Sequence, residues 1–350
     1  MKLALSYDDV LLVPKYSDID SRSEVDLTTQ LSNNVKLQIP LVPTKMDTVT
    51  GVEMAIAMGK MGSFAILPRF DTPEVQSDKV LQVKKSGVKL ISAAVGVKEG
   101  FLERAEKLVA AGANILNVDV AHGHMKQTIE TTKTLKQKFG NDIMIISGIV
   151  ATKESAVDLY DAGADCLLVG IGAGATCTTR VMTGFGIPGL QSLMDVSEIA
   201  RKYKKTFMPD AGIRNSGDIV KALAAGASAI CAGSMFAGTD EAPGNIIEKD
   251  GKKFKQYNGS ASLTEKLKHV KTYSKDKNKN YTVQIEGVES LVPYKGSVND
   301  LIASLLAGVR SGLSYAGART IPEFWQKAEF IQITAGGLRE NGAHDVIVYK

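Results

Sequence analysis

Eight short apolar runs, each followed by a helix-like stretch, predict an α/β chain closed into a (β/α)8 (TIM) barrel with a long flap after the eighth strand. Two further observations support this class. Ala-Gly-Ala recurs at Ala111-Gly112-Ala113, Ala162-Gly163-Ala164 and Ala225-Gly226-Ala227, each after a helical pattern and before a strand, where glycine suits a helix C-cap. The glycines also crowd the turns after runs six to eight. A doubly wound open sheet, the alternative, places its glycine-rich turn after the first strand.

The runs fall at 40–42, 64–67, 90–95, 115–119, 143–146, 166–169, 206–208 and 229–232. Their near-continuous apolar character fits parallel strands buried on both faces. Residues 1–38 read as a lead-in to a single 350-residue domain. Residues 239–295 are polar, rich in lysine and glycine and weakly periodic, which reads as a mobile lid over the barrel mouth. Residues 296–350 form the last part, a helix and tail, and an amphipathic helical pattern opens it at 298–313.

Composition narrows the partners. The chain is 44% apolar and 23% charged, with a net charge of +4 of mixed sign, ordinary for a soluble globular protein. No polyanion partner is implied. The basic stretches at 266–271 and 275–279 read as solvated surface rather than a nucleic-acid site. No apolar stretch approaches the roughly 20 residues of a membrane span. The three cysteines, Cys166, Cys177 and Cys231, are odd in number and lack metal-ligand spacing. With Asp8 and Asp9 too early for a secretory signal, they point to a reducing, cytoplasmic setting. Cys166 and Cys231 lie in apolar runs and read as small core residues.

Barrels of this kind bind ligands at the C-terminal ends of their strands. There the chain places Met46-Asp47-Thr48, Asp119 to His124, Ser147-Gly148, Asp210-Ala211-Gly212 and Gly233-Ser234. Cys177 stands in a loop with alternating glycines, Gly170-Ile171-Gly172-Ala173-Gly174, directly after an apolar run. A thiol there can reach a ligand, the surrounding backbone can hold an anion or a cation, and Arg180 can lower the thiol pKa. The plain alternative is a loop cysteine without a role. The glycines of 212–217 and 233–236 suit a phosphate monoester at helix starts, or simply make tight turns. Asp119 and Asp210 can accept hydrogen bonds from ribose hydroxyls or a nicotinamide amide, or cap helices. His122 and His124 flank a glycine with no obvious acidic partner, which argues against a metal site.

Together these segments resemble the inosine-monophosphate dehydrogenase and guanosine-monophosphate reductase family over nearly the whole chain. The matches are Tyr7-Asp8-Asp9-Val10-Leu11-Leu12-Val13-Pro14, Met46-Asp47-Thr48-Val49, Ala121-His122-Gly123-His124, the Cys177 loop, Ser216-Gly217-Asp218-Ile219 and Gly233-Ser234-Met235-Phe236. The resemblance implies a Cys177 nucleophile at purine C2 of a nucleoside monophosphate, with Thr179 and Glu265 (or Glu241) handling the proton. It implies Met46, Asp210, Gly212, Gly233, Ser234 and Tyr257 around the nucleotide, with Asp210 on the ribose. Asp119, His122 and Gly123 would face the cofactor. Carbonyls of Gly172, Gly174 and Cys177 would hold a monovalent cation, K+, and the assembly would be a homotetramer.

For direction, only 71–89 separates the second and third runs, so the family's CBS regulatory insert is absent. No arginine occurs between Gly238 and Lys295 to activate water. The resemblance therefore implies a GMP reductase using NADPH. The alternatives are an IMP dehydrogenase using NAD without the insert, or a weakly catalytic nucleotide-binding paralogue. The chain departs from the family pattern at Lys45, Ile149, Ala175 and Leu263.

Overall fold

The computed structural model describes residues 3–272 and 285–347. The eight expected strands form: β1 (Leu41–Pro43), β2 (Ile66–Leu67), β3 (Ser92–Val95), β4 (Ile115–Asp119), β5 (Met144–Val150), β6 (Cys166–Val169), β7 (Thr206–Pro209) and β8 (Ile230–Ala232). β2 to β7 pair in chain order as a six-stranded parallel sheet, and β8 pairs with β1. A parallel bridge between Asp210 and Cys231 joins β7 to β8. The Ser63 hydroxyl donates to the Leu41 carbonyl at 2.6 Å between β1 and β2. These two links close the barrel.

Around it pack α1 (Val52–Lys60), α2 (Pro73–Lys85), α3 (Phe101–Ala111), α4 (Lys126–Phe139), α5 (Lys153–Asp161), α6 (Gly189–Tyr203), α7 (Ser216–Ala224) and α8 (Val298–Tyr315). α2 alone connects β2 to β3. Side chains alternate along each strand: Leu167 and Val169 pack outward with the helices. Cys166 and Leu168 point inward with Val42, Ile66, Met208 and Cys231. Leu31, Val35 and Leu37, from the hairpin Thr29–Ser32/Val35–Leu37, plug the interior from the N-terminal end. The repeated Ala-Gly-Ala ends α3, α5 and α7 with Gly112, Gly163 and Gly226 at φ +119°, +99° and +102°, a left-handed turn that glycine adopts without strain.

The segment after β8 is more regular than its polar sequence implies. It forms an antiparallel sheet of β9 (Ile247–Lys249), β10 (Lys252–Asn258) and β11 (Glu289–Pro293), with a helix at Leu263–Thr272. Its lysines mislead: Lys255 is buried, its ammonium held by the carbonyls of Thr239 (2.9 Å) and Ala242. The chain ends meet where Val10–Leu12 pairs with Phe330–Gln332.

α8 approaches α7 closely because Gly308 and Gly312 face it. A Cβ on Gly312 would stand 2.6 Å from Val220 Cγ2. Gly312→Val is therefore expected to destabilise the fold by about 2 kcal/mol, read as a lowered urea midpoint at unchanged slope. An unchanged midpoint would show that the two helices are not in close contact.

Candidate active site

The loop after β6 carries Cys177. The Cys177 amide donates to the Gly174 carbonyl at 3.1 Å, closing a turn that leaves the thiol half-buried at the barrel mouth. The thiol donates to Thr179 Oγ1 at 3.2 Å, and the Thr179 hydroxyl donates to Glu286 Oε2 at 2.7 Å. The Glu286 backbone is pinned as well: its carbonyl accepts from the Thr178 amide at 3.0 Å, and Gly287 bridges Cys177. A proton on sulfur thus has a two-step path to a carboxylate. Lys266 lines the same cavity. Burial lowers its ammonium below the ordinary value, against the pull of Glu286.

The structure differs from three expectations about the groups near the thiol. Arg180 does not face the thiol, because its guanidinium donates to the carbonyls of Ile171 (3.3 Å) and Ile187 (2.6 Å). Glu265 does not reach Thr179. It is buried against Asn258 (3.1 Å) and Lys268 (2.8 Å). Glu241 is also occupied, accepting from the Val298 amide at 2.8 Å at the start of α8. The acid at the thiol is Glu286, which the sequence left unmarked because its contact spans 107 residues.

Opposite the thiol lies a buried charge cluster. Asp210, at the bridge that closes the barrel, accepts from the Thr44 hydroxyl at 3.1 Å through Oδ1 and from the Lys45 ammonium through Oδ2. Lys45 Nζ also lies 4.0 Å from Asp119 Oδ1, and Arg69 Nε donates to Asp119 Oδ2 at 3.1 Å. Burial works against the Lys45 charge, but the two carboxylates outweigh it and raise the ammonium above its ordinary value. Removing one partner of such a buried pair costs roughly 3–5 kcal/mol, since the other charge is left uncompensated. Beside Asp210, Ala211 adopts φ +95°, a strained conformation for a residue with a Cβ.

A cavity of about 360 Å³ joins these groups, lined among others by Met46, Asp119, Gly172, Gly174, Cys177, Thr179, Asp210, Gly233 and Tyr257. Tyr257 comes from β10, and burial pushes its phenol up to about 12. A Cβ on Gly233 would stand 2.7 Å from the Tyr257 hydroxyl, so only glycine fits there. Gly212 and Ser234 lie outside this lining: Gly212 faces Ala173 and the Tyr7 ring, and the Ser234 carbonyl accepts from Lys295 at 3.1 Å. Gly123 donates its amide to the Ile149 carbonyl at 2.7 Å, while His122 is exposed. His124 does have an acidic partner, Asp158 Oδ2 at 2.7 Å on the surface. Among the described residues no group of three or more His, Cys, Asp and Glu side chains is placed to hold a metal, and no helix is long and apolar enough to cross a membrane.

The donor set fits a nicotinamide and a monovalent cation. Asp119 lines the cavity, and its Oδ1 lies 4.0 Å from Lys45 Nζ; a carboxylate there is the acceptor type a carboxamide needs. The uncharged carbonyls of Gly172, Gly174 and Cys177 share one loop, a donor type that suits a monovalent ion.

A half-buried thiol linked through a hydroxyl to a carboxylate at the mouth of a (β/α)8 barrel is the kind of site an enzyme with a side-chain nucleophile presents. Residues 4–344 match the family described as IMP dehydrogenase / GMP reductase domain. The chain is 37% identical to the inosine-5′-monophosphate dehydrogenase of Nitrosopumilus maritimus, covering 99% of each. It is 32% identical to the GMP reductase of Leishmania major, covering 98% of this chain and 97% of that one. The crystal structure of GMP reductase C318A from Trypanosoma brucei in complex with guanosine 5′-monophosphate superposes with a TM-score of 0.92 at 31% identity, covering 99% of each chain. The chain belongs to the IMP dehydrogenase/GMP reductase family, whose members are purine-nucleotide oxidoreductases using nicotinamide cofactors.

Burial pushes the Cys166 thiol up to about 12 and raises that of Cys231 further. Iodoacetamide on the native protein is therefore expected to label Cys177 alone, by peptide mass mapping. Labelling of Cys231 at a comparable rate would contradict its burial in the barrel interior.

Asp47 offers a pH test. Burial first, then the Glu265 and Asp71 carboxylates, moves its carboxyl up to about 6. A carboxyl that holds its proton more tightly when folded costs stability as pH rises from about 4, its unfolded value, to about 6. Asp47→Asn is expected to raise the melting temperature at pH 8, by up to about 3 kcal/mol of stability, with the gain gone below pH 4. A gain independent of pH would show that the Asp47 carboxyl does not titrate differently in the folded protein.

Proposed function

We propose that this enzyme reduces GMP to IMP with NADPH, releasing ammonia. The observation that carries the reading is the Cys177–Thr179–Glu286 chain beside a nucleotide-sized cavity, under a flap whose sequence holds no arginine. Cys177 adds to C2 of the guanine, and its proton passes through Thr179 toward Glu286. The same pair returns a proton to the exocyclic amine, which departs as ammonia while sulfur stays on C2. NADPH, when bound on the Asp119 side of the cavity, would supply the hydride that C2 needs, and Cys177 then departs as the thiolate to leave IMP. Asp210 positions the sugar, Asp119 faces the nicotinamide, and the carbonyls of Gly172, Gly174 and Cys177 would hold a potassium ion. The amine-releasing step needs an acid. A positioned one supplies roughly 10²–10⁴-fold, and Glu286 is placed to be it.

One observation favours a second reading, oxidation of IMP with NAD. The Thr179–Glu286 pair can take a proton as well as give one, and so can activate water without an arginine. Purified protein is expected to oxidise NADPH in the presence of GMP and to produce no NADH from IMP and NAD. Glu286→Gln is expected to lower kcat for GMP by roughly 10²-fold or more. Steady NADH production from IMP without GMP-dependent NADPH oxidation would reverse the direction. Full activity of Glu286→Gln would remove the acid.

The assembly proposed is a homotetramer. Val181, Met182 and Phe185 are exposed together beside the Cys177 loop, an apolar surface that a second copy would cover. Sedimentation showing only monomer at micromolar concentration would refute it.

A further inference from the structure

Asp210 has both carboxylate oxygens engaged before any ligand arrives. Thr44 donates to Oδ1 at 3.1 Å and Lys45 to Oδ2. Both members of the ion pair are buried, Lys45 at 5% and Asp210 at 6% exposure. The backbone that carries both is anchored as well. The Thr44 amide donates to the Ala232 carbonyl at 3.0 Å, the Met46 amide to the Thr44 carbonyl at 2.9 Å, and the Thr50 hydroxyl to that same carbonyl at 2.8 Å. Asp210 itself is fixed by the bridge to Cys231. Three cations, Lys45, Arg69 and Lys266, line the cavity with three carboxylates, Asp119, Asp210 and Glu286, so its wall is already balanced in charge.

This arrangement changes what the pocket demands of a sugar. A site built to hydrogen-bond a substrate hydroxyl rejects the analogue lacking it by roughly 10⁴–10⁵-fold, because the site's own buried polar group is then left unpaired. A lone carboxylate facing a ribose edge is such a site. A carboxylate already paired with an ammonium and a hydroxyl is not: losing a ligand hydroxyl leaves Asp210 satisfied.

We propose that Lys45 sets the sugar specificity of this enzyme, pairing Asp210 internally so that 2′-deoxyribonucleoside monophosphates are substrates alongside ribonucleotides. The inference rests on the reading above that the cavity takes a purine nucleoside monophosphate with its sugar at Asp210. It does not depend on the direction of the redox step.

The test measures binding by calorimetry and kcat/KM for two pairs, GMP against dGMP and IMP against dIMP. The wild-type enzyme is expected to prefer the ribonucleotide by no more than about tenfold. Lys45→Met removes the ammonium at similar length and leaves Asp210 dependent on the ligand, so its preference for ribose is expected to widen at least a further tenfold. Lys45→Arg keeps the charge and is expected to keep the narrow ratio. A purely structural lysine would lower both activities together and leave the ratio unmoved. A wild-type preference above about 10³-fold overturns the proposal, as does an unchanged ratio in a folded Lys45→Met. If Lys45→Met does not fold, the wild-type and Lys45→Arg ratios decide. If wild type binds none of the four nucleotides, the purine-nucleotide reading fails and this inference with it.

Discussion

Barrel closure through the Asp210–Cys231 bridge is the constraint on which the site depends. It brings β7 against β8, and β8 against β1, so that Thr44 and Lys45 reach an aspartate 166 and 165 residues later. It also sets the ends of all eight strands on one rim, over which the Cys177 loop and β10 meet. Without it the thiol and the charge cluster would not face the same cavity.

The flap completes what the barrel begins. Glu286, Tyr257 and Lys266 all come from beyond β8, and each meets a barrel group: Thr179, Gly233 or the common cavity. Because the proton path includes Glu286, the reactive centre is whole only when the flap segment lies against the Cys177 loop. The two are stitched by the Val288 amide on the Thr176 carbonyl and the Thr178 amide on the Glu286 carbonyl, each at 3.0 Å.

The barrel was legible in the sequence because parallel strands buried on both faces leave unbroken apolar runs, and all eight runs became strands. The Cys177 loop was legible because its glycines stand out. What escaped was long-range polar pairing. Glu286 follows a polar stretch and carries no local mark. Lys45 was visible as a charge beside Met46, but its partners lie 74 and 165 residues away. The sheet of β9 to β11 escaped because buried Lys255 looks, in sequence, like its exposed neighbours Lys252 and Lys253. A lysine satisfied by carbonyls and a lysine satisfied by water have the same letter.

The proposed reaction bonds the sulfur of Cys177 to the purine during turnover. Acid quench of the enzyme at steady state with nucleotide and nicotinamide cofactor, followed by peptide mass analysis, tests it most directly. A nucleotide-sized mass is expected on the peptide containing Cys177 and on no other. Sustained turnover with no such adduct, together with undiminished activity of Cys177→Ala, would contradict it.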